Sequence, residues 1–173
     1  MLTKEKELHT LSVLVEDVDG IISRVAALFT RRGYSMRSIT SAATEKPEYN
    51  RITIVVEADE ISIEQITKQL NKLINVIKVV RLEPETTIAR ALLMVKVKAD
   101  ASTRPQVVDA AKLFRARVID VAKESVVIEA TGGEKKLDAF LDVLEPFGVL
   151  ELIQCGQIAL NRGPKVMLPA NLA

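Results

Sequence analysis

Twice along this chain the spacing of apolar residues switches between a period of two and a helical period in the same order: strand, helix, strand, strand, helix, strand. Side chains alternate across a strand and recur every three to four residues along a helix, so the order fixes which elements can share a core. The arrangement that buries every apolar stripe in such a half is an antiparallel sheet with both helices on one face. The predicted fold class is therefore α+β, built as two tandem ferredoxin-like βαββαβ units. A length of 173 residues accommodates two compact units of roughly 75–80 residues each.

In HTLSVLVE, Leu11, Val13 and Val15 point one way and Thr10, Ser12 and Glu16 the other, the alternation of a half-buried strand. EDVDG follows as a turn in which Asp19 is placed to cap the next helix. Ile21, Ile22, Val25, Leu28 and Phe29 then fall at helical spacing. Arg31 and Arg32 oppose the negative end of the helix dipole, and Gly33 supplies a left-handed stop. YSMRSITSAAT and RITIVVEA are the next two strands, separated by Pro47 and Asn50. A second helix from Ser62 turns Ile63, Ile66, Leu70, Leu73 and Ile74 inward, and VIKVVRLE completes a first unit over residues 8–83.

Residues 84–89 contain Pro84 in a polar stretch and read as a linker. Over residues 90–161 the order repeats: ALLMVKVKA, a helix opened by Pro105, RVIDVA and SVVIEA, a helix carrying Leu137, Phe140, Leu141 and Leu144, and one long strand from Val149 to Leu160. Residues 162–173 lack periodicity and are expected to be loose. In the first unit Leu14, Val55, Ile77 and Val79 lie opposite the main apolar set. A sheet with helices on one side leaves its other face or its edges to a partner, so a homodimer is expected.

Composition narrows the function. Lys plus Arg number 24 against 23 Asp plus Glu, a net charge of +1, and aromatics are 3% with no Trp. A nucleic-acid binder draws its affinity from a cationic surplus and its base contacts from exposed rings, and neither is present. No apolar run approaches the ~20 residues of a membrane span. The single cysteine, Cys155, has no internal partner and fits a reducing compartment. These features predict a cytoplasmic protein bound to neither nucleic acid nor membrane.

Catalytic chemistry has little to work with. His9 is the only histidine, so no imidazole-based metal cluster or nucleophile–base pair can form. Cys155 falls inside the predicted last strand and reads as a small buried hydrophobe. Gly132-Gly133 lacks the lysine and hydroxyl of a phosphate loop. The catalytic, metal and cofactor sets of this chain are therefore expected to be empty.

The first strand-to-helix junction stands apart. Gly20 lets a ligand approach the backbone N–H groups of Gly20, Ile21 and Ile22 at the positive end of a helix, a natural carboxylate site. Asp17 on the same turn can accept an ammonium group, and flanking Ile, Val and Met suit a small apolar amino acid. A plain capped turn accounts for Asp19-Gly20 equally well.

These stretches resemble a known family. HTLSVLVEDVDG, LFTRRGY, RITIVVEADE and IEQITKQLNKLINVIKV resemble the ACT domain of the small subunit of acetohydroxyacid synthase (acetolactate synthase). ALLMVKVKAD, LFRARVIDVAKESVVIEATG and LEPFGVLELIQCGQIALNRGP resemble its C-terminal domain, so the likeness covers about residues 8–165. The resemblance implies a non-catalytic regulatory subunit that stimulates a separate large catalytic subunit and confers feedback inhibition by valine. That large subunit would carry thiamine diphosphate, Mg and FAD and serve branched-chain amino-acid biosynthesis. In the family ACT domains pair side by side, and the effector sits between the first strand–helix loop of one chain and the start of the second strand of its partner. The matching positions are Asp17, Val18, Asp19, Gly20, Ile21 and Ile22 on the loop side, and Tyr34, Ser35 and Met36 on the partner side.

Two positions depart from the family pattern. Many members have Asn where Asp17 stands, and most have Asn where Ser35 stands. A serine hydroxyl replaces an amide that both donates and accepts, which implies a weaker or retuned valine response. Two other classes remain for comparison. A transcription regulator built on the same module needs a basic helix-turn-helix for which the chain has no room. A small ferredoxin-like enzyme needs the catalytic groups that are missing.

Overall fold

The structure is a computed structural model, described here over residues 6–172. It contains two compact units. The first opens with β1 (Glu7–Glu16), α1 (Ile21–Arg32), β2 (Ser35–Ala43), β3 (Tyr49–Ala58), α2 (Glu60–Leu70) and β4 (Val76–Leu82). Its sheet has the order β2-β3-β1-β4, and β1 pairs antiparallel with both β3 and β4. Both crossovers of this βαββαβ path carry a helix, and the two helices cover one face. Leu11, Val13, Val15, Ile52, Ile54 and Val56 from the sheet pack there against Val25 and Phe29 of α1 and Ile63, Ile66 and Leu70 of α2.

The second unit holds β5 (Thr87–Lys98), α3 (Arg104–Leu113), β6 (Arg117–Val121), β7 (Ser125–Gly132), α4 (Glu134–Leu144) and β8 (Val149–Gln154). Its strands follow the same logic in the order β6-β7-β5-β8. Leu93, Val95, Val97, Val126 and Ile128 form a core with Val107, Leu137, Phe140 and Leu144. Phe114 stacks on Phe140 with ring centroids 5.0 Å apart, within the favourable range for tilted aromatic pairs. The α+β class and the tandem βαββαβ plan are thus present in the molecule.

Several boundaries differ from the sequence expectation. The second helix begins at Glu60, because Asp59 caps it through Ser62 N (2.8 Å). It ends at Leu70, which leaves Ile74 outside the helix and 79% exposed, while Leu73 still packs on the core from the following turn. The first helix is capped by Gly20 in the left-handed region (φ 77°) rather than by the Asp19 side chain. The linker is shorter than 84–89: Pro84–Thr86 form one 3-10 turn, and β5 starts at Thr87. The last long strand is broken after Gln154, and β9 (Ile158–Asn161) resumes the pairing with β5. Cys155 sits in that break and is exposed, its sulfur accepting from Leu92 N at 3.1 Å, so it is not the buried hydrophobe expected.

The largest correction concerns the C-terminus. Residues from Gln157 onward belong with the first unit, not with a domain ending at 161, and residues 162–173 do not form a loose tail over their described part. Arg162 N donates to Thr86 O at 2.7 Å. Met167 and Leu168 are buried on the face of the first sheet away from its helices, packing with Leu14 and with Tyr49, Ile77, Val80 and Leu172. Part of the apolar second face that pointed to a partner is therefore covered by the chain itself. Val79 does not belong to that face. Val79 pairs with Val13 and faces the helix-side core with it; a register shift between Leu14 and Val15 leaves Ile77 unpaired, so Ile77 keeps to the other face while Val76, opposite Val15, also turns into the helix-side core.

Candidate functional site

The loop from Asp17 to Gly20 is held from three sides. Asp17 N donates to Glu48 O (2.8 Å), and the Asp17 carboxylate accepts from Asn50 Nδ2 (2.5 Å). Arg24 spans the turn, donating through Nη1 to Asn75 Oδ1 (2.9 Å) and through Nη2 to Asp19 O (3.3 Å). Asn75, itself left-handed at φ 72°, receives Glu16 N on its carbonyl (2.9 Å) and donates its amide to the Glu16 carboxylate. Sequence marks Asn50 only as a strand breaker and does not mark Arg24 or Asn75: Asn50 and Asn75 lie well away from the loop in the chain and meet it only once the strand register is set, and Arg24, one helical turn after Gly20, reads as an ordinary helix residue.

Gly20 shapes what remains open. Its φ of +77° is costly for most side chains, yet a Cβ placed there would find open space. Ile21 N is occupied, donating to Val18 O at 3.3 Å. Among the described residues, Gly20 N and Ile22 N donate to no backbone carbonyl. The three-donor cradle expected from sequence is thus a two-donor one at an exposed helix start, where unpaired N–H groups favour an anion. Ile21 is buried in the core and Val18 packs against it, while Ile22 is 45% exposed and supplies the apolar wall of the loop.

Tyr34, Ser35 and Met36 stand elsewhere. Ser35 opens β2 opposite Glu57, whereas the loop adjoins the other end of β3, where Glu16 faces Tyr49. Eight residues of strand separate these ends, about 27 Å at the usual rise, so one chain does not bring the two halves together. Tyr34 donates its hydroxyl to Gln65 Oε1 (3.4 Å), Met36 packs on the helix-side core, and Ser35 is exposed. β2 is an edge strand, and its far end, Ala43, pairs with Asn50 beside Asp17. Antiparallel pairing of two β2 edges about a two-fold axis would carry the start of one toward the end of the other, and so Ser35 of a second copy toward the loop.

Comparison with known proteins bears on this geometry. Residues 11–78 match a family model described as the AHAS small subunit-like ACT domain, and residues 90–163 match one described as the small subunit of acetolactate synthase. The chain belongs to the acetolactate synthase small-subunit family. The acetolactate synthase small subunit of Mycobacterium leprae is 57% identical over 157 residues, covering 91% of this chain and 93% of that one. A probable acetolactate synthase small subunit from Methanothermobacter thermautotrophicus is 45% identical over 168 residues, covering 96% and 100%. The crystal structure of the acetolactate synthase small subunit from Thermotoga maritima superposes with a TM-score of 0.85 at 36% identity, covering 92% of this chain and 99% of that one.

As a small subunit the chain implies a larger catalytic partner. Among the described residues no group of three or more His, Cys, Asp or Glu gathers to hold a metal ion. His9 is buried in the sheet with Nε2 3.0 Å from Ala58 O. Among the described residues no helix is long and apolar enough to cross a membrane.

Proposed function

We propose that this small subunit stimulates the large catalytic subunit of acetolactate synthase and makes it sensitive to feedback inhibition by valine. Thiamine diphosphate, Mg and FAD then reside on the large subunit, whose reaction serves branched-chain amino-acid biosynthesis in the cytoplasm. The observation that carries the effector reading is Gly20. A left-handed glycine opens the start of α1 with free donors and open space in front of it, beside an acidic side chain. That arrangement suits the carboxylate and ammonium of one small amino acid, with Ile22 against its aliphatic side chain.

Homodimerisation through the ACT domains completes the pocket in this reading, since Tyr34, Ser35 and Met36 would come from the second copy. Feedback then requires that valine bind two arrangements of the dimer unequally, with the change passed on to the large subunit.

Gly20→Asp tests this, with Gly20→Asn as its uncharged counterpart. Both side chains tolerate the left-handed region better than others, so the pair separates charge from backbone strain. Gly20→Asp should still activate the large subunit but lose valine inhibition, and Gly20→Asn should retain more of it. Full valine inhibition of the Gly20→Asp holoenzyme would refute the pocket.

A further inference from the structure

A second cleft, apart from the loop, lies on the opposite face of the first sheet and encloses about 470 Å³, within the usual size of small-molecule sites, about 300–1,000 Å³. Leu14 forms its floor, and Met167 and Leu168 of the C-terminal segment form one wall. Arg51 and Lys165 face it as cations, with Glu45 as the carboxylate among its lining residues.

Arg51 is unusual in how it is used. Its Nε donates to the fully buried Ser12 Oγ at 2.7 Å. Among the described residues that is the one hydrogen bond of its side chain, and no carboxylate lies within ion-pair distance of it. The guanidinium is half-buried, and desolvation holds it below its ordinary range, offset in part by Glu45. Arginine usually spends its two-pronged end on a carboxylate or phosphate. Here that end is anchored at one nitrogen and unpaired at the other two, beside an apolar wall.

We infer that this cleft binds a small monocarboxylate with a branched or straight aliphatic body, its head group on Arg51 and Lys165 and its body against Leu14, Met167 and Leu168. The apolar wall selects a carboxylate over inorganic phosphate, because phosphate has no body to place against it. Against the two cations the lining sets one carboxylate, Glu45, which already sits in the field of Arg51, so the charge balance favours a plain acid over the zwitterion expected at the Gly20 loop. A ligand here would bridge the sheet and the C-terminal segment, and so hold that segment in place.

Titration of 3-methylbutanoate into the full-length isotope-labelled chain, followed by amide NMR, tests the site against 3-methylbutanamide and inorganic phosphate. The carboxylate should shift the amides of Thr44, Arg51 and Leu168, while the uncharged amide and phosphate leave them in place. Arg51→Gln should weaken binding roughly tenfold or more, as loss of a desolvated charge partner does. Lys165→Gln, at an exposed position that the fold does not depend on, should weaken it severalfold, and Glu45→Gln should tighten it. Shifts confined to Asp17–Ile22, equal responses to phosphate or the amide, no response at all, or binding undiminished in Lys165→Gln and Arg51→Gln alike would each overturn the inference.

Discussion

Asn50 Nδ2 lies 2.5 Å from Asp17 Oδ1, so the first residue of the loop is fixed to the strand that carries the edge of the sheet. The contact orients a carboxylate that the proposed effector site needs as an ammonium acceptor. Asn50→Ala removes it at a half-buried position, where the bond itself is solvent-exposed and its net contribution to folding is about 1 kcal/mol or less. The fold should stay intact, with an unfolding midpoint close to the parent. Valine affinity measured by calorimetry should fall roughly threefold to tenfold. An unchanged dissociation constant would show that Asp17 needs no anchor or takes no part.

The loop illustrates what the sequence carries and what it does not. Alternation and helical spacing mark every strand and helix of the first unit, because Leu11, Val13 and Val15 or Val25 and Phe29 are local patterns. Asp19 also looked like a cap, and the pattern could not reveal that Gly20 takes the cap position through its backbone. The same holds for Val79. It pairs with Val13 and shares its face, and a register shift opposite Leu14 and Val15 puts Ile77 on the other one, a property of two strands read together. Met167 and Leu168 were hidden for a third reason. Two apolar residues among prolines and polar groups have no period, and only the uncovered Leu14 face gives them a place to go.

Asp100 gives a prediction in pH. Its Oδ1 accepts from Ser102 N and Oγ and from Thr103 N and Oγ1 at the start of α3. These donors hold its carboxyl at about 2, below the ordinary 3.8, with the Ser102 hydroxyl the largest cause. A depressed folded value stabilises the protein above the unfolded value, and the contribution is lost as pH falls through the folded one. Thermal midpoints of the parent and Asp100→Asn should therefore differ most above about pH 4 and converge on approaching pH 2. A constant gap across that window would mean that the carboxylate charge is not what these donors recognise.

Removing the C-terminal cover should expose the face it lies on. Met167 and Leu168 are 7% and 8% exposed, and fully burying one such side chain contributes roughly 1.5–3 kcal/mol. Replacing both with Ala should lower stability in urea by about 2–4 kcal/mol, allowing for the Cβ atoms that remain. The variant should also bind a hydrophobic dye at the uncovered Leu14 face. Stability within error of the parent would show that the segment adds nothing to the core beneath it.

Ser35 can be changed at little structural cost. It is exposed at the start of an edge strand, opposite Glu57, so Ser35→Asn adds an amide without disturbing the packed face. In the proposed dimer that amide meets the valine bound at the other copy's Gly20 loop, donating to its carboxylate or accepting from its ammonium. One added net hydrogen bond is worth about 1 kcal/mol, or roughly fivefold in affinity. Calorimetric titration of valine into the parent and Ser35→Asn should show that tightening, and the reconstituted holoenzyme should reach half-inhibition at correspondingly lower valine. The gain should vanish when Ser35→Asn is combined with Gly20→Asp, because both residues would act on one ligand across one interface. Equal affinities in the parent and Ser35→Asn would place the start of β2 outside the effector site.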